Sequence, residues 1–278
     1  MVKQARSPTT SEVRRKKRRN RKINKQTFPL LRAPRAEKYY GKGISVIIPV
    51  GGKDRVFHLE KVLQNLYAQN YVPLQIIISE FGVLGKKHFN KKYGPGILYL
   101  YTKGDTTFNK SKAMNKGFMA ASNSICMLVD ADVILPHGYL ASIDAHMVGY
   151  DACFLLKRVL HTPVVRHLKH NITPPITQVR ADNFNGASLA IRKEAYRKIG
   201  GMCERFEGYG YEDLEFWDRL RRMLNLNEDR IYDVLHLNHG HVRGYDRQWA
   251  ANQKIWTELA GQSPKERAKI FKKILEKY

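Results

Sequence analysis

The segment Ile125-Cys-Met-Leu-Val-Asp-Ala-Asp-Val-Ile-Leu-Pro136 is an apolar run interrupted by two carboxylates. Its apolar and β-branched residues predict a buried strand that carries Asp130 and Asp132 to its carboxyl end. Because side chains alternate along a strand, both carboxylates are expected to face one ion or one phosphate group. Carboxylate oxygens suit Mg²⁺ or Mn²⁺, which usually bind proteins together with substrate phosphates. The alternative is a strand-to-turn junction in which Asp132 merely caps the residues that follow.

The segments before this strand alternate between strand and helix patterns. Ile44–Val50 and Leu74–Ser79 are short apolar strands, and apolar residues recur at helical spacing from Arg55 to Tyr71, where Pro73 ends the pattern. A strand, a helix and a strand in succession form a right-handed βαβ unit by default, so a parallel sheet is expected here. The same half then offers a third strand at Ile97–Tyr101, a helix at Asn109–Ala121, and candidate site positions at the strand ends Pro49–Gly52, Glu80 and Asp130–Asp132.

Length and composition favour a soluble α/β protein. The chain has 278 residues, of which 43% are hydrophobic, enough for one large domain or two small ones. Its three cysteines do not suggest a disulfide framework and are expected to be buried free thiols in a reducing compartment. No apolar run approaches the roughly 18 to 20 residues of a membrane span, and the N-terminus lacks the apolar core of a signal peptide. We therefore expect a cytoplasmic protein.

The net charge of +24 is concentrated at the N-terminus. Residues 1–40 contain 14 of the 49 lysines and arginines and only two acidic residues, and the block Arg14–Lys22 contains no apolar residue. Such a block cannot bury itself and predicts a disordered basic arm. The arm suits binding to nucleic acid or to another anionic surface, because cations that neutralise phosphates release counterions. A solvated tail without a partner is the alternative.

Several motifs then occur in order along the chain: Ser45–Pro49, Gln69–Tyr71, Phe108–Gly117, Asp130–Asp132, Asn183–Ser188, Gly201 and Phe206–Leu220. The first four resemble the nucleotide-sugar-binding half of family 2 glycosyltransferases with the GT-A fold. The others resemble the catalytic segment of β-1,4-galactosyltransferases and polypeptide N-acetylgalactosaminyltransferases. The resemblance covers residues 43–245.

The resemblance implies an α/β protein of the GT-A fold, with a Rossmann-like, nucleotide-sugar-binding mixed sheet flanked by helices. The single main domain would span residues 41–245, with a nucleotide-binding half at 41–140 and an acceptor-binding and catalytic half at 141–245. Residues 1–40 would remain a basic arm, and residues 246–278 would form C-terminal helices. The last of these helices has a capping-box pattern at Ser263–Glu266.

The expected metal site contains Mn²⁺ or Mg²⁺. Asp132 is the expected direct ligand and Asp130 its partner, which contacts the metal or the donor ribose. In the run His236–His241, an alternating strand would turn His239 and His241 the same way, which makes His236 the weaker candidate. By resemblance, a histidine some 25 to 30 residues beyond the catalytic acid completes the metal site. A surface cluster of histidines is the alternative.

Catalysis is expected at Glu212 and Asp213. They follow Gly208-Tyr-Gly210 and precede an amphipathic run, so they should lie at a helix N-terminus, where anions are favoured. Position alone would equally suit ordinary helix capping. By resemblance, Asp213 is the base that takes the proton of the acceptor, Glu212 is an acceptor ligand, and Tyr209 is the aromatic residue that stacks on a sugar. Leu214 and Glu215 depart from the galactosyltransferase pattern, which leaves the acceptor open.

Donor contacts are expected from the strand ends and the second helix. Pro49, Gly51 and Arg55 would line the nucleotide base and phosphates, and Glu80 would accept hydrogen bonds from the base or ribose. The resemblance favours a uridine nucleotide, as UDP-hexose or UDP-N-acetylhexosamine. The remaining expected donor contacts are Asn109, Lys112 and Asn115 near the diphosphate and Gly186 near the sugar, although Asn115 could be a packed residue and Gly186 a turn glycine.

The expected function is therefore a metal-dependent, inverting glycosyltransferase that moves a sugar from a nucleotide sugar to a hydroxyl. The acceptor is either a glycan or lipid, or a hydroxylated base in a nucleic acid. The basic, proline-interrupted loop between Cys153 and Asp182 suits acceptor binding. The terminal amphipathic helix is expected to dock on the domain, or else to contact an anionic membrane peripherally. The alternative function is a non-catalytic, glycosyltransferase-like nucleic-acid-binding protein.

Overall fold

The computed structural model describes residues 38–89, 96–104, 107–164, 175–180, 186–239 and 245–278. Most of the basic arm, the middle of the basic loop, Asn183 and His241 lie outside the described residues, so the predictions about them stay predictions. The described strands are β1 (Tyr39–Val50), β2 (Tyr71–Gly82), β3 (Ile97–Lys103), β4 (Ile125–Val129), β5 (Val133–Ile134), β6 (Ala152–Cys153), β7 (Leu156–His161), β8 (Gln178–Arg180), β9 (Ser188–Arg192), β10 (Leu226–Asn227) and β11 (Tyr232–His236). The α-helices are α1 (Val56–Tyr67), α2 (Lys110–Met119), α3 (Tyr139–His146), α4 (Lys193–Lys198), α5 (Glu212–Met223), α6 (Tyr245–Ala260) and α7 (Pro264–Leu275).

A seven-stranded mixed sheet forms the centre of the fold, in the order β10-β6-β9-β4-β1-β2-β3. Strand β1 pairs in parallel with β2 and β4, and β2 pairs in parallel with β3. Strand β9 runs antiparallel to β4 and β6. The predicted parallel βαβ unit and the predicted mixed α/β sheet are therefore confirmed. The central strands β1 and β4 are buried on both faces, which explains why they read as continuous apolar runs.

The first βαβ unit has longer strands and a shorter helix than the sequence predicts. Helix α1 ends at Tyr67. Asn70 then adopts a left-handed conformation with φ 53°, which turns the chain into β2 at Tyr71. Pro73 therefore lies inside β2 rather than between elements. The β1–β2 pairing is irregular between Tyr40 and Ile44, opposite Pro73, so the missing proline N–H falls where the ladder is already interrupted.

The strand that carries the aspartates ends earlier than predicted. β4 stops at Val129, and the amide of Val133 donates to the carbonyl of Asp130 across a tight turn (3.2 Å). Val133 and Ile134 then join a second, four-stranded sheet of order β5-β11-β7-β8. Because Asp130 and Asp132 lie in this turn, the alternation of side chains along a strand does not determine which way their carboxylates point. The expectation that both face one ion from the same side of a strand is corrected accordingly.

The histidine segment also differs from the predicted strand. β11 ends at His236, so His239 lies in the following loop and does not alternate with its neighbours. The amide of Leu237 donates to the carbonyl of Asp132 (2.8 Å), which fixes the end of β11 beside the aspartate turn. This junction between the two sheets brings together residues about a hundred positions apart in sequence.

Other parts of the fold agree with the sequence. The three cysteines are buried and unpaired. The predicted capping box is present in α7, where Ser263 accepts from the amide of Glu266 and Glu266 accepts from the amide of Ser263. Helix α7 docks on the domain through the buried side chains of Ala268, Phe271 and Leu275. Among the described residues, no helix combines the length and apolar character needed to cross a bilayer.

Candidate active site

Asp132 lies at the centre of a cluster of imidazoles and one guanidinium. It follows β4 and is only 7% exposed. The Nη1 atom of Arg55, from the turn after β1, donates to its Oδ2 (2.8 Å). The Nε2 atom of His236 lies 3.4 Å from its Oδ1, and that of His239 lies 3.2 Å from its Oδ2. Burial opposes ionisation of Asp132, but His236, His239 and Arg55 outweigh it and hold its pKa well below the usual range.

The cluster fits a divalent cation. Asp132, His236 and His239 each offer a ligand atom, and these atoms lie within 4.8 Å of one another. Among the described residues, Oδ1 of Asp132 and Nδ1 of His236 are buried without a hydrogen-bond partner. A buried, unsatisfied carboxylate oxygen is costly, and a bound cation would satisfy it. Two nitrogens and one oxygen suit Mn²⁺ better than Mg²⁺, which prefers oxygen ligands.

Two more histidines line the same region. The ring of His58 lies 5.9 Å from that of His239, and the ring of His161 lies 4.8 Å from that of His236. Burial lowers the pKa of His58, and burial together with His236 lowers the pKa of His161 to about 4. Near neutral pH both rings are therefore uncharged, as is needed beside a cation site.

A second cluster is organised by Lys110, at the first turn of α2. Its Nζ lies 2.9 Å from Oδ1 of Asp130 and 3.0 Å from Oδ2 of Asp213. Burial disfavours the ammonium, but Asp130 and Asp213 raise the pKa of Lys110 well above its ordinary value. Asp130 also accepts from the amide of Ala187 (3.0 Å). Asp130 thus belongs to this cluster and not to the group of Asp132, His236 and His239, and its predicted contact with the metal or the donor ribose stays a prediction.

Glu212 and Asp213 begin helix α5, as predicted. Tyr211 precedes them in a left-handed conformation with φ 70°, which turns the chain sharply into the helix. Burial, reinforced by the charge of Asp213, raises the pKa of Glu212 to about 7. Burial also raises the pKa of Asp213, against the opposing effect of Lys110. The site therefore contains two carboxylates that are more basic than ordinary ones, one of them paired with a lysine.

Gly186 closes the pocket between these groups. Its φ is 110°, and a Cβ built there would lie 2.6 Å from Oδ2 of Asp213. A side chain at position 186 would therefore collide with the carboxylate of Asp213, so the position needs a glycine whether or not a sugar binds there. Lys110, Asp130, Gly186 and Asp213 line one pocket, which has an apolar wall that includes Trp217.

Several residues predicted to contact the donor are used inside the protein. Glu80 is fully buried, and its carboxylate accepts from the amides of His88 (2.7 Å) and Phe89 (3.3 Å) and from the hydroxyl of Tyr99. Asn109 caps α2 by accepting from the amide of Lys112 (2.8 Å). Asn115 is buried and donates to the carbonyl of Met202 (2.9 Å). The structure thus favours the packed alternative for Asn115.

The remaining predicted positions are placed as follows. Pro49 is buried opposite Ser79 in the β1–β2 ladder. A Cβ on Gly51 would lie 2.4 Å from Phe108, so this glycine accommodates a ring of the protein. Lys112 is half-buried on α2. Tyr209 is 48% exposed, and its ring stacks near that of Trp249 with 5.9 Å between centroids.

The structure thus brings together Arg55, Asp132, His236 and His239 in one cluster, and Asp130, Gly186 and Asp213 in another. The sequence pattern did not single out Lys110, and it placed His236 behind His239 and His241 as a candidate ligand. Lys110 occupies the predicted motif Phe108–Gly117, and its position at the start of a helix beside the aspartate strand was an available signal. Nothing in the sequence pattern indicated that His236, at the end of a strand from another sheet, would reach Asp132.

Part of the chain is similar in sequence to galactosyltransferases. Residues 166–239 match the family described as the N-terminal domain of galactosyltransferase. Over 157 residues the chain is 32% identical to β-1,4-galactosyltransferase 7 of Drosophila melanogaster, which covers 54% of this chain. The chain spans 44% of that relative's length.

Solved structures with a similar fold are glycosyltransferases. A mannosyltransferase from Pyrobaculum calidifontis, solved with GDP-Man and Mn²⁺, superposes over 93% of this chain and 74% of its own, with a TM-score of 0.54 and 17% identity. GalNAc-T7, solved with UDP, GalNAc and Mn²⁺, superposes over 78% of this chain and 48% of its own, with a TM-score of 0.54 and 12% identity. The chain therefore has the GT-A fold, and its residues 166–239 are similar to a domain of galactosyltransferases.

Proposed function

We propose that this chain is a metal-dependent, inverting glycosyltransferase that moves a sugar from a nucleotide sugar to a hydroxyl acceptor. The observation that carries the proposal is the placement of two clusters two residues apart, at Asp130 and Asp132. One cluster is suited to a divalent cation, and the other holds basic carboxylates beside a pocket. Cleavage of a sugar diphosphate needs both, since charge develops on the leaving phosphate while the acceptor loses a proton.

Asp132, His236 and His239 would hold the ion, with Mn²⁺ preferred to Mg²⁺. When bound, such an ion supplies electrostatic stabilisation of the departing diphosphate. Arg55 lies at the same place and is suited to the phosphates, because its guanidinium offers several donors in a planar fork. The resemblance to galactosyltransferases favours a uridine donor, UDP-hexose or UDP-N-acetylhexosamine, and Asp130 remains a candidate contact for the donor.

Asp213 is the proposed base. An acceptor oxygen that attacks the sugar from the face opposite the leaving group must lose its proton, and a carboxylate of raised pKa accepts it more readily than an ordinary one. Lys110 keeps Asp213 ionised and oriented before the acceptor arrives. Glu212, buried beside it, is the proposed acceptor ligand.

The proposal is tested by measuring the binding of UDP in the presence of Mn²⁺ and the turnover of a panel of UDP-sugars. We expect Asp132→Ala to lose metal-dependent binding of UDP. Asp213→Asn should keep that binding and lose turnover by a factor of about a hundred or more. Asp229→Asn is the matched control, because Asp229 pairs with His146 on another part of the surface.

Two outcomes would contradict the assignment. If Asp132→Ala binds UDP and Mn²⁺ as well as the unaltered chain, the cation site is elsewhere. If Asp213→Asn retains turnover, Asp213 is not the base. In both cases the Asp229→Asn variant should behave as the unaltered chain, which separates a loss at the site from general damage.

A non-catalytic nucleic-acid-binding protein is the second candidate function, and the charge of the N-terminal arm favours it. The same charge would suit a nucleic-acid acceptor, or peripheral contact with an anionic membrane. The two functions differ in one measurement. Binding of nucleic acid without any consumption of a nucleotide sugar would support the second.

A further inference from the structure

Arg55 contacts the carboxylate that would hold the cation. It ends the short turn Lys53–Arg55 after β1, and 18% of its side chain is exposed. Its Nη1 donates to Oδ2 of Asp132 (2.8 Å), the same oxygen that lies 3.2 Å from Nε2 of His239. A guanidinium and a divalent cation on one carboxylate repel each other, because both are positive and close together. Arg55 and a bound cation would therefore compete for Asp132.

The hydrogen bond between Arg55 and Asp132 is strong enough for this competition to matter. Asp132 is 7% exposed, so solvent and salt screen the pair only slightly. Hydrogen bonds between two charged groups are among the strongest in proteins. Asp54 is a second carboxylate near Arg55, but its Oδ2 lies 3.6 Å from Nε and its side chain is 60% exposed. Such an exposed pair contributes little, so Asp54 does not replace Asp132 as a partner.

The surroundings of Arg55 favour a diphosphate as its alternative partner. Arg55 lies just beyond the carboxyl end of β1, and ligands bind at this edge of α/β sheets. Helix α1 begins at the next residue, and within the described part of the chain no side chain caps it. The positive end of a helix and a guanidinium both attract an anion, and phosphate oxygens match the planar fork of donors on arginine. A diphosphate can thus take Arg55 away from Asp132.

We propose that Arg55 couples cation binding to diphosphate binding, because it exchanges Asp132 for the phosphates of the donor. Without a nucleotide, Arg55 stays on Asp132 and lowers the affinity of the site for the cation. With a nucleotide, Arg55 moves to the phosphates, and the carboxylate of Asp132 becomes available to the cation. Each ligand then strengthens the binding of the other by the same factor, as thermodynamic linkage requires. This inference rests on the proposed function and adds how its two ligands depend on each other.

Two simpler arrangements lead to different expectations. In the first, Arg55 stays on Oδ2 while the cation binds Oδ1 of Asp132, which is buried and, among the described residues, has no hydrogen-bond partner. Arg55 would then weaken cation binding equally with and without a nucleotide. In the second, Arg55 contacts the phosphates and has no effect on the cation alone. The exchange differs from both, because in it the effect of Arg55 on the cation depends on the nucleotide.

The experiment measures Mn²⁺ binding to the full chain by calorimetry, with and without UDP. We expect Arg55→Gln, which removes the charge, to bind Mn²⁺ alone about tenfold more tightly than the unaltered chain. The factor by which UDP strengthens Mn²⁺ binding should fall about tenfold, because it no longer includes the exchange. Lys53→Gln removes a charge at an exposed position of the same turn, and this matched control should change neither quantity. Complexes of Mn²⁺ with UDP in solution affect every variant equally.

Tighter binding excludes general damage, because a disturbed fold would not bind a cation better. Arg55→Met is a second neutral variant and should give the same result. Unchanged Mn²⁺ affinity in both neutral variants would overturn the proposal and leave Arg55 as a phosphate contact. Tighter Mn²⁺ binding with an unchanged UDP factor would overturn it too, because Arg55 would then repel the cation without changing partners. Failure of Mn²⁺ and UDP together to bind the unaltered chain and its variants would instead refute the proposed function.

Discussion

At the scale of single residues, Lys110 holds together the cluster that contains Asp130 and Asp213. It belongs to the first turn of α2 yet contacts Asp130 after β4 and Asp213 on α5. Without it, the half-buried carboxylates of Asp130 and Asp213 would have no cation between them, which disfavours ionisation of Asp213. The proposed base, Asp213, would then be protonated at a pH where the proposed reaction needs it ionised.

Lys110→Met is therefore expected to lower turnover about tenfold or more and to shift the acidic limb of the pH–rate profile to higher pH. Lys112→Met is the matched control, two residues later on the same helix. Lys112 was the lysine that the sequence analysis assigned to the donor diphosphate. Rates measured with both variants across pH decide between the two lysines, and an effect confined to Lys112→Met would favour the original assignment.

Glu212 makes stability depend on pH. Its pKa is about 7 in the folded chain, against an ordinary value of 4.5. A carboxyl with a raised folded-state pKa stabilises the fold fully below pH 4.5, and that contribution is lost as pH rises to about 7. Glu212→Gln removes the ionisable group.

We expect Glu212→Gln to have a higher melting temperature than the unaltered chain at pH 8, and to lose this advantage near pH 4.5. Thermal unfolding measured at both pH values checks this. Glu60→Gln, at an exposed position on α1, is the control and should show no such pH dependence. A stabilisation of equal size at both pH values would mean that the ionisation of Glu212 is not its cause.

At the scale of elements, a buried ionic network connects helix α5, which begins with the proposed catalytic carboxylates, to helix α7. Glu215 on α5 is fully buried and pairs with Arg219 (2.6 Å) and with Arg267 of α7 (2.9 Å). Arg267 also pairs with Asp218, and Arg219 donates to the carbonyl of Ile199. The helix that begins with Glu212 and Asp213 is therefore oriented by residues near the end of the chain.

Removing one member of such a network leaves a buried charge without its partner. Arg267→Met is expected to lower the free energy of unfolding by about 3–5 kcal/mol. Arg222→Met, which removes an exposed arginine paired with the same Asp218 (3.0 Å), should cost about 0.5 kcal/mol or less. Chemical denaturation of both variants measures the difference. Equal costs would show that burial of the network contributes little.

At the scale of the whole molecule, the positive charge is most concentrated in the predicted N-terminal arm, residues 1–40. The block Arg14–Lys22 supplies eight of the 49 basic residues within nine positions. Replacing those eight residues by glutamine should weaken binding of duplex DNA and flatten its dependence on salt, because fewer counterions are released. Turnover of the nucleotide sugar with a pyranoside acceptor should be unchanged. A loss of that turnover would place the arm in the catalytic function.

The sequence by itself determined the central strands of the fold and predicted which residue types the candidate site contains. Apolar runs such as Ile44–Val50 predicted the central strands because burial on both faces leaves no place for polar residues. The motif at Glu212 and Asp213 predicted carboxylates at a helix start, since spacing along one helix is a local property.

Only the tertiary structure decided which side chains meet. Asp130 and Asp132 diverge because the chain passes from one sheet to another between them, and His236 reaches Asp132 because β11 pairs with β5. Glu80 and Asn115 resemble ligand contacts in the sequence, but the folded chain binds them with its own amides and carbonyls. Such contacts join residues far apart in the chain, and local periodicity contains no information about them, because they depend on how separate elements pack.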